Sequence, residues 1–213
     1  ATSEDDELIH WKKHPANPII PEPREGDEEY GKYHVWDVCG WVDGDTYYAI
    51  TGNKPHSADT DGDIAWLFKS KDLCRWEYVQ PFYTSERKWT EADEDCSCAD
   101  FFPLGDKYVL MFISHTQGTQ YYIGRLENET FHIERHERMN WPGGPCFAQE
   151  SLVDGGNRRI FWAWVCESIS MDVQQERGWS GVMSLPRVMS LANDGTVLID
   201  PVDELRTLRM NHR

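Results

Sequence analysis

The sequence is short of positive charge, of long apolar runs and of helical periodicity. Its 213 residues carry 21 Lys and Arg against 37 Asp and Glu, a formal charge of −16. That balance argues against nucleic acid and anionic membranes as partners, because both attract Lys and Arg. No apolar stretch approaches bilayer-spanning length, and the opening "ATSEDDE" lacks the basic and hydrophobic regions of a signal peptide. That second absence says little, since these first residues read as mid-domain. Cys-x-x-Cys pairs and Cys/His clusters at zinc spacing are missing, so no metal site is expected. The cysteines at 39, 74, 96, 98, 146 and 166 are spread too loosely for a disulfide scaffold. Cys98, Cys146 and Cys166 sit in or beside apolar runs and read as small buried hydrophobes. The redox compartment stays open, and a cytoplasmic and a secreted location with it. A Gly-rich phosphate loop, a Gly-x-Ser-x-Gly elbow and a zinc-binding His pair are also absent, and no cofactor is expected.

Aromatic residues are plentiful, with ten Trp, nine Tyr and eight Phe in a chain that is 39% hydrophobic. That is enough to bury a substantial core, as one domain or as part of a larger one. Trp and Tyr in an acidic chain suit a neutral polar ligand whose apolar faces stack on rings.

The chain repeats itself. "YHVWDVCGWVDGDTYYAITGN", "SCADFFPLGDKYVLMFISH" and "FAQESLVDGGNRRIFWAWVCE" each run strand, glycine turn, aromatic strand, and their turn glycines, Gly44, Gly105 and Gly155, lie 61 and 50 residues apart. Each pair is followed by a third strand ("IAWLFKS", "TQYYIGRLE", "GVMSLPRVMSL") and a fourth ("RWEYVQPF", "TFHIERHE", "GTVLIDPV"). Short strands with turn signals throughout make the chain all-β, and four-stranded units of about 50 residues are the signature of propeller blades. A β-sandwich would not explain the repeat. The expected division is the end of a preceding blade and a linker over 1–32, then blades over 33–84, 85–142 and 143–213, with "LIHWKKHP" as the preceding blade's fourth strand.

In a propeller the first strand of each blade lines the axis, and side chains two apart share a face. Counting back from the three glycines, position −7 holds Asp37, Cys98 and Ala148, and position −5 holds Cys39, Asp100 and Glu150. If the registers match, Asp37, Asp100 and Glu150 converge from three adjacent blades. Converging carboxyls are costly unless they bind a cation or do chemistry. The plain structural alternative is that Asp100 caps a turn and a single acid is functional.

These stretches resemble glycoside hydrolase family 32, the invertase, levanase and fructanase group. The resemblance lies in "CADFFPLGDKYVLMFISH", "QYYIGRLENETF", "AQESLVDGGNRRIFWAWV" and "GWSGVMSLPRVMSLANDGTVLIDPVDELRTLR", with "DELIHWKKHPANPIIPEP" before the first blade. It implies a five-bladed propeller that cleaves β-fructofuranosyl bonds with retention, using an Asp nucleophile, a Glu acid/base and an Asp that stabilises the transition state. The family's Arg-Asp-Pro falls on Trp36, Asp37 and Val38, so the stabilising Asp is kept while Arg and Pro are lost. Its Glu-Cys-Pro-Asp falls on Ser97, Cys98, Ala99 and Asp100, so a serine stands at the acid/base position, and a serine hydroxyl is too weak an acid to replace it. Its Ala-Pro-Gln falls on Ala148, Gln149 and Glu150, which offers Glu150 as a replacement acid, with Glu94 and Asp95 as other substitutes. The nucleophile's Asn-Asp-Pro-Asn-Gly stretch belongs to a first blade that is not in this sequence. The chain therefore reads as about three and a half blades, with another chain or segment, roughly 100 residues at about 50 per blade, closing the ring.

Asp37 and Glu150 are accordingly the expected catalytic residues, with Trp36, Ser97, Asp100, His115 and Trp164 as substrate contacts. Trp36 is the better stacking candidate. Trp162 and Trp164 share a strand face at spacing two, so one of them is expected in the core. His115 as a lone histidine equally fits a blade edge. "Asp59-Thr-Asp-Gly-Asp63" has a calcium-loop start but no distant bidentate Glu, and reads as an acidic turn. "Gly178-Trp179-Ser180-Gly181", after the irregular "ESISMDVQQERG", is a loop that rims the site or merely joins strands. The expected function is hydrolysis of fructosyl bonds in sucrose or fructans; the alternative is a catalytically inactive sugar-binding propeller.

Overall fold

A computed structural model describes residues 1–54, 62–139 and 146–209, and Asp59, Thr60 and Asp61 of the acidic turn lie outside them. Three antiparallel sheets follow one another along the chain. The first holds β1 (Val38–Asp43), β2 (Thr46–Thr51), β3 (Ile64–Ser70) and β4 (Glu77–Thr84) in sequence order. The second repeats that order with β5 (Ser97–Leu104), β6 (Lys107–Ser114), β7 (Gly118–Glu127) and β8 (Thr130–Arg138). The third holds β9 (Cys146–Val153), β10 (Arg159–Val165), β11 (Val182–Met183), β12 (Arg187–Leu191) and β13 (Val197–Pro201). Here one strand is split, because β10 pairs with β11 at its far end and with β12 at its near end. Pro186 has no N–H to give a ladder, and in the gap the Ser184 hydroxyl accepts the Ala163 N–H at 3.0 Å.

The sheets stack as blades around an axis, with β1 packed beside β5 and β5 beside β9. Alternation along each inner strand explains the stacking. Cys39 and Trp41 turn toward the second sheet, where Ile50, Leu67, Phe82, Phe101, Leu110, Phe112, Tyr122 and Phe131 form a buried core. Phe82 meets Phe101 edge-on at 4.8 Å. On the other face of β5, Phe102 and Leu104 join Val109, Met111, Tyr121, Ile123, Phe161 and Met189 in a second core, between the second and third sheets. Burying a side chain of this size contributes about 1.5–3 kcal/mol, so these two seams hold the arc together.

The N-terminal segment covers the outer face of the first sheet, where Ile20, Tyr33 and Val35 pack on Ala49, Trp66 and Phe68. "LIHWKKHP" is not a strand; a single bridge between Thr2 and Lys12 is the segment's ladder, since a lone extended stretch has no backbone partners beside it. The "irregular" acidic stretch contains a helix, α1 (Met171–Arg177). It buries no residue and so shows no apolar periodicity, and Gly178 ends it at φ 75°. No helix among the described residues is long and apolar enough to cross a membrane.

Candidate active site

The inner strands open at one end, where Asp37 precedes β1, Ser97 starts β5 and Cys146 starts β9. Three residues there have the left-handed backbone: Asp37 (φ 44°), Cys98 (φ 47°) and Ala148 (φ 47°). They are the three occupants of position −7. In β5 this residue sits in a bulge, since the ladder to β6 shifts between Ser97 and Asp100. Bulges of this kind redirect side chains at a sheet's end. The three blades thus share one kinked mouth, and the register read from the turn glycines holds at it.

The kink brings neighbouring mouths into contact. Asp37 Oδ2 accepts the Cys98 N–H at 3.0 Å and lies 3.7 Å from the Cys98 thiol. Cys39 Sγ accepts the Phe101 N–H at 3.3 Å. Cys98 is therefore more than packing, and lies half-buried beside the candidate stabilising acid. Burial, then the charge and hydrogen bond of Asp37, push its thiol up to about 12.

Glu150 is solvent-exposed, yet protein atoms around its carboxyl, followed by the charges of Asp100 and Asp37, push its pKa up to about 7. Asp100 and Asp37 thus both act on Glu150. The three acids do not share one environment. Asp100 is 6% exposed, lies between the second and third blades, and has a buried Oδ2 without a hydrogen-bond partner. Burial raises its pKa, and Ser151 and Arg159 oppose the rise. Arg159 in turn lies 4.2 Å over the Phe102 ring.

Ser97, expected to touch substrate, is 1% exposed and has no free hydroxyl. It accepts the Trp36 indole N–H at 2.8 Å and donates to Asp95 Oδ2 at 2.6 Å. Trp36 is half-buried, with Lys54 Nζ 5.5 Å from its ring centre. Asp95, buried completely, also accepts the backbone N–H of His115 at 2.8 Å and its Nδ1–H at 2.9 Å. Sequence reasoning offered Asp95 as a substitute acid and missed that it organises Ser97 and His115. No spacing signal announces such a group, because its partners, Ser97 two residues on and His115 just past β6, are brought to it only by the fold.

Glu94 is excluded as a proton donor. Burial alone would raise its pKa, but bonds from Arg138, the Glu91 N–H and Gln120 outweigh burial and hold it low. Arg138 grips it at 2.8 Å. Asp63 is likewise structural, taking the hydroxyls of Thr90 at 2.6 Å and Tyr122 at 2.8 Å. Gln149, fully buried, donates to the Cys98 carbonyl at 3.3 Å and ties β9 to β5. Between Trp162 and Trp164 a bulge interrupts the alternation expected to put both on one face. Trp162 is half-buried and Trp164 is 46% exposed at the end of β10. A Cβ on Gly181 would lie 1.7 Å from the Trp164 Nε1, so glycine lets the 178–181 loop close over that ring. Among the described residues no cluster of His, Cys, Asp and Glu could hold a metal ion.

Blades around an axis, with Asp37 and Glu150 near the open ends of their inner strands, define part of a β-propeller. Comparison with known proteins gives that class its family: residues 1–201 match the Glycosyl hydrolases family 32 N-terminal domain, and the chain belongs to family 32. The chain is 31% identical over 232 residues to a β-fructofuranosidase, insoluble isoenzyme 7, of Oryza sativa subsp. japonica, covering 95% of this chain and 37% of the rice protein. It is 29% identical over 236 residues to a fructan 6-exohydrolase of Triticum aestivum, covering 95% and 38%. The crystal structure of fructan 1-exohydrolase IIa from Cichorium intybus superposes with a TM-score of 0.78 at 26% identity, over 97% of this chain and 41% of that one. The chain thus spans well under half the length of these relatives.

Proposed function

We propose that this chain carries the fructosyl-holding part of a glycosidase that cleaves β-fructofuranosyl bonds in sucrose or fructans with retention. One observation carries the reading: the Glu150 carboxyl, raised to about 7, lies within charge range of Asp37. A group that keeps its proton near neutrality beside a second acid is the division of labour that glycoside cleavage needs. Asp37 holds fructose hydroxyls and strengthens those bonds as positive charge develops on the ring. Glu150 gives its proton to the leaving oxygen and takes one back from the incoming water. The nucleophile comes from a further blade. Leu152 and Leu198, 48% and 45% exposed on the third sheet, are apolar surface for another added blade to cover. The relatives named above, a β-fructofuranosidase and fructan exohydrolases, support the substrate class.

A second reading has its own observation. The hydroxyl at the family's acid/base position is locked between Trp36 and Asp95 and cannot reach a ligand as that acid would. That favours a sugar-binding propeller without turnover. Fructose release from sucrose, inulin and levan by the full-length gene product separates the two. Binding without release would leave the second reading standing alone.

A further inference from the structure

The hydrogen bonds around Asp95 have one possible direction. An indole N–H can only donate, so the Ser97 oxygen accepts from Trp36 and must spend its own hydrogen on Asp95 Oδ2. The same Oδ2 faces His115 Nδ1 at 2.9 Å, and Oδ1 takes the His115 backbone N–H at 2.8 Å. Nδ1 is therefore the hydrogen-bearing nitrogen, and Nε2 of the neutral ring carries the lone pair. The chain Trp36–Ser97–Asp95 thus fixes both tautomer and angle of an imidazole that is itself 45% exposed. Nε2 makes no hydrogen bond among the described residues.

The position of this ring says which part of a ligand it meets. Asp37 and Glu150 stand on inner strands, whereas His115 follows β6, one strand spacing of about 4.8 Å further from the axis. Ser97 pairs with Ile113, so the chain just past β6 returns to the mouth of β5. A sugar held by the axial acids would keep its neighbouring unit off the axis, toward that rim. We propose that His115 is the residue that selects the second sugar: its Nε2 accepts a hydrogen bond from a hydroxyl of the unit joined to the fructosyl group. Asp95 is its positioning residue, and Ser97 and Trp36 hold Asp95 in turn. A sugar hydroxyl is the matching chemistry, because it can donate to a lone pair while remaining uncharged. The proposal rests on the fructoside reading given above.

The test uses the full-length gene product and the substitution His115→Phe, which keeps a flat ring at an exposed site. On sucrose KM should rise about 5–10-fold, the loss of one neutral hydrogen bond, with kcat unchanged. On an aryl β-fructoside, which has no second sugar, neither constant should move. Equal changes on both substrates, or none on sucrose, overturn the proposal. Should the wild type cleave neither substrate, the glycosidase reading fails, and calorimetry decides the fate of His115. Weaker sucrose binding with unchanged fructose binding upholds its role; equal losses, or no sucrose binding by the wild type, overturn it. Nitrogen-15 NMR gives a readout free of turnover. His115 should carry its hydrogen on Nδ1 in the wild type and lose that fixed tautomer in Asp95→Asn, and a wild-type ring protonated on Nε2 alone overturns the assignment.

Discussion

Asp37 and Cys98 are joined across two blades: the carboxylate of one accepts the backbone N–H of the other at 3.0 Å, and both residues are left-handed. Asp37→Asn is therefore a clean test of the stabilising role. Asn tolerates φ of 44° better than most residues and keeps an oxygen for the Cys98 N–H. Thermal unfolding should stay within a few degrees, while turnover of sucrose by the full-length protein falls about 10²–10³-fold, the scale of losing a charge aimed at the transition state. Activity within a few-fold of wild type would remove Asp37 from the mechanism.

Glu150→Gln separates proton transfer from binding. An activated aryl leaving group needs no proton, so a donor variant should lose little rate on it and much on sucrose. Equal losses on both would make Glu150 a hydroxyl acceptor only.

The same variant has a stability signature. The folded carboxyl titrates near 7, above the 4.5 of the unfolded group, so the folded state binds more protons between those values. Stability from this group is full below about 4.5 and declines as pH rises to 7. Solvent screening at this exposed residue keeps the effect under about 1 kcal/mol. Urea unfolding should show Glu150→Gln gaining on wild type as pH is raised from 4.5 to 8, and a gap that narrows instead would contradict the raised pKa.

Arg138 and Glu94 behave oppositely. Glu94 is 2% exposed, and its principal cationic partner is the Arg138 guanidinium. Arg138→Met should destabilise by about 3–5 kcal/mol because it strands a buried charge. Adding Glu94→Gln should restore a good part of that loss. Since the Glu94 pKa is held low, its contribution is present above the unfolded value and fades as acid approaches the folded one.

Ala148, at φ 47°, tests the shared kink. A β-branched side chain in that conformation is strained, so Ala148→Val should cost about 1–3 kcal/mol, while Ala148→Gly should be neutral or slightly stabilising. Denaturant midpoints would show it. Equal losses from both would mean that the kink relaxes without cost.

The blades were legible because their cause is local. Gly44, Gly105 and Gly155 mark hairpins, and alternation on either side of them dictates which side chains enter the seams. Counting along equivalent strands put Asp37 and Glu150 toward one face, and the Asp37 charge is among the causes that raise the Glu150 pKa. Asp95 was not legible in the same way: its three hydrogen bonds come from Ser97, two residues on, and from His115, twenty residues away on the next strand. The α1 helix escaped for a different reason, since an exposed helix of seven residues has no apolar face to betray it. "LIHWKKHP" shows the converse, a stretch with strand composition and no neighbour to complete it.

The left-handed residue at each mouth separates shape from chemistry. An acid, a thiol and a methyl group occupy the same turn of backbone at Asp37, Cys98 and Ala148. Once copied, the turn leaves each blade free to exchange the group it presents without disturbing the seams below.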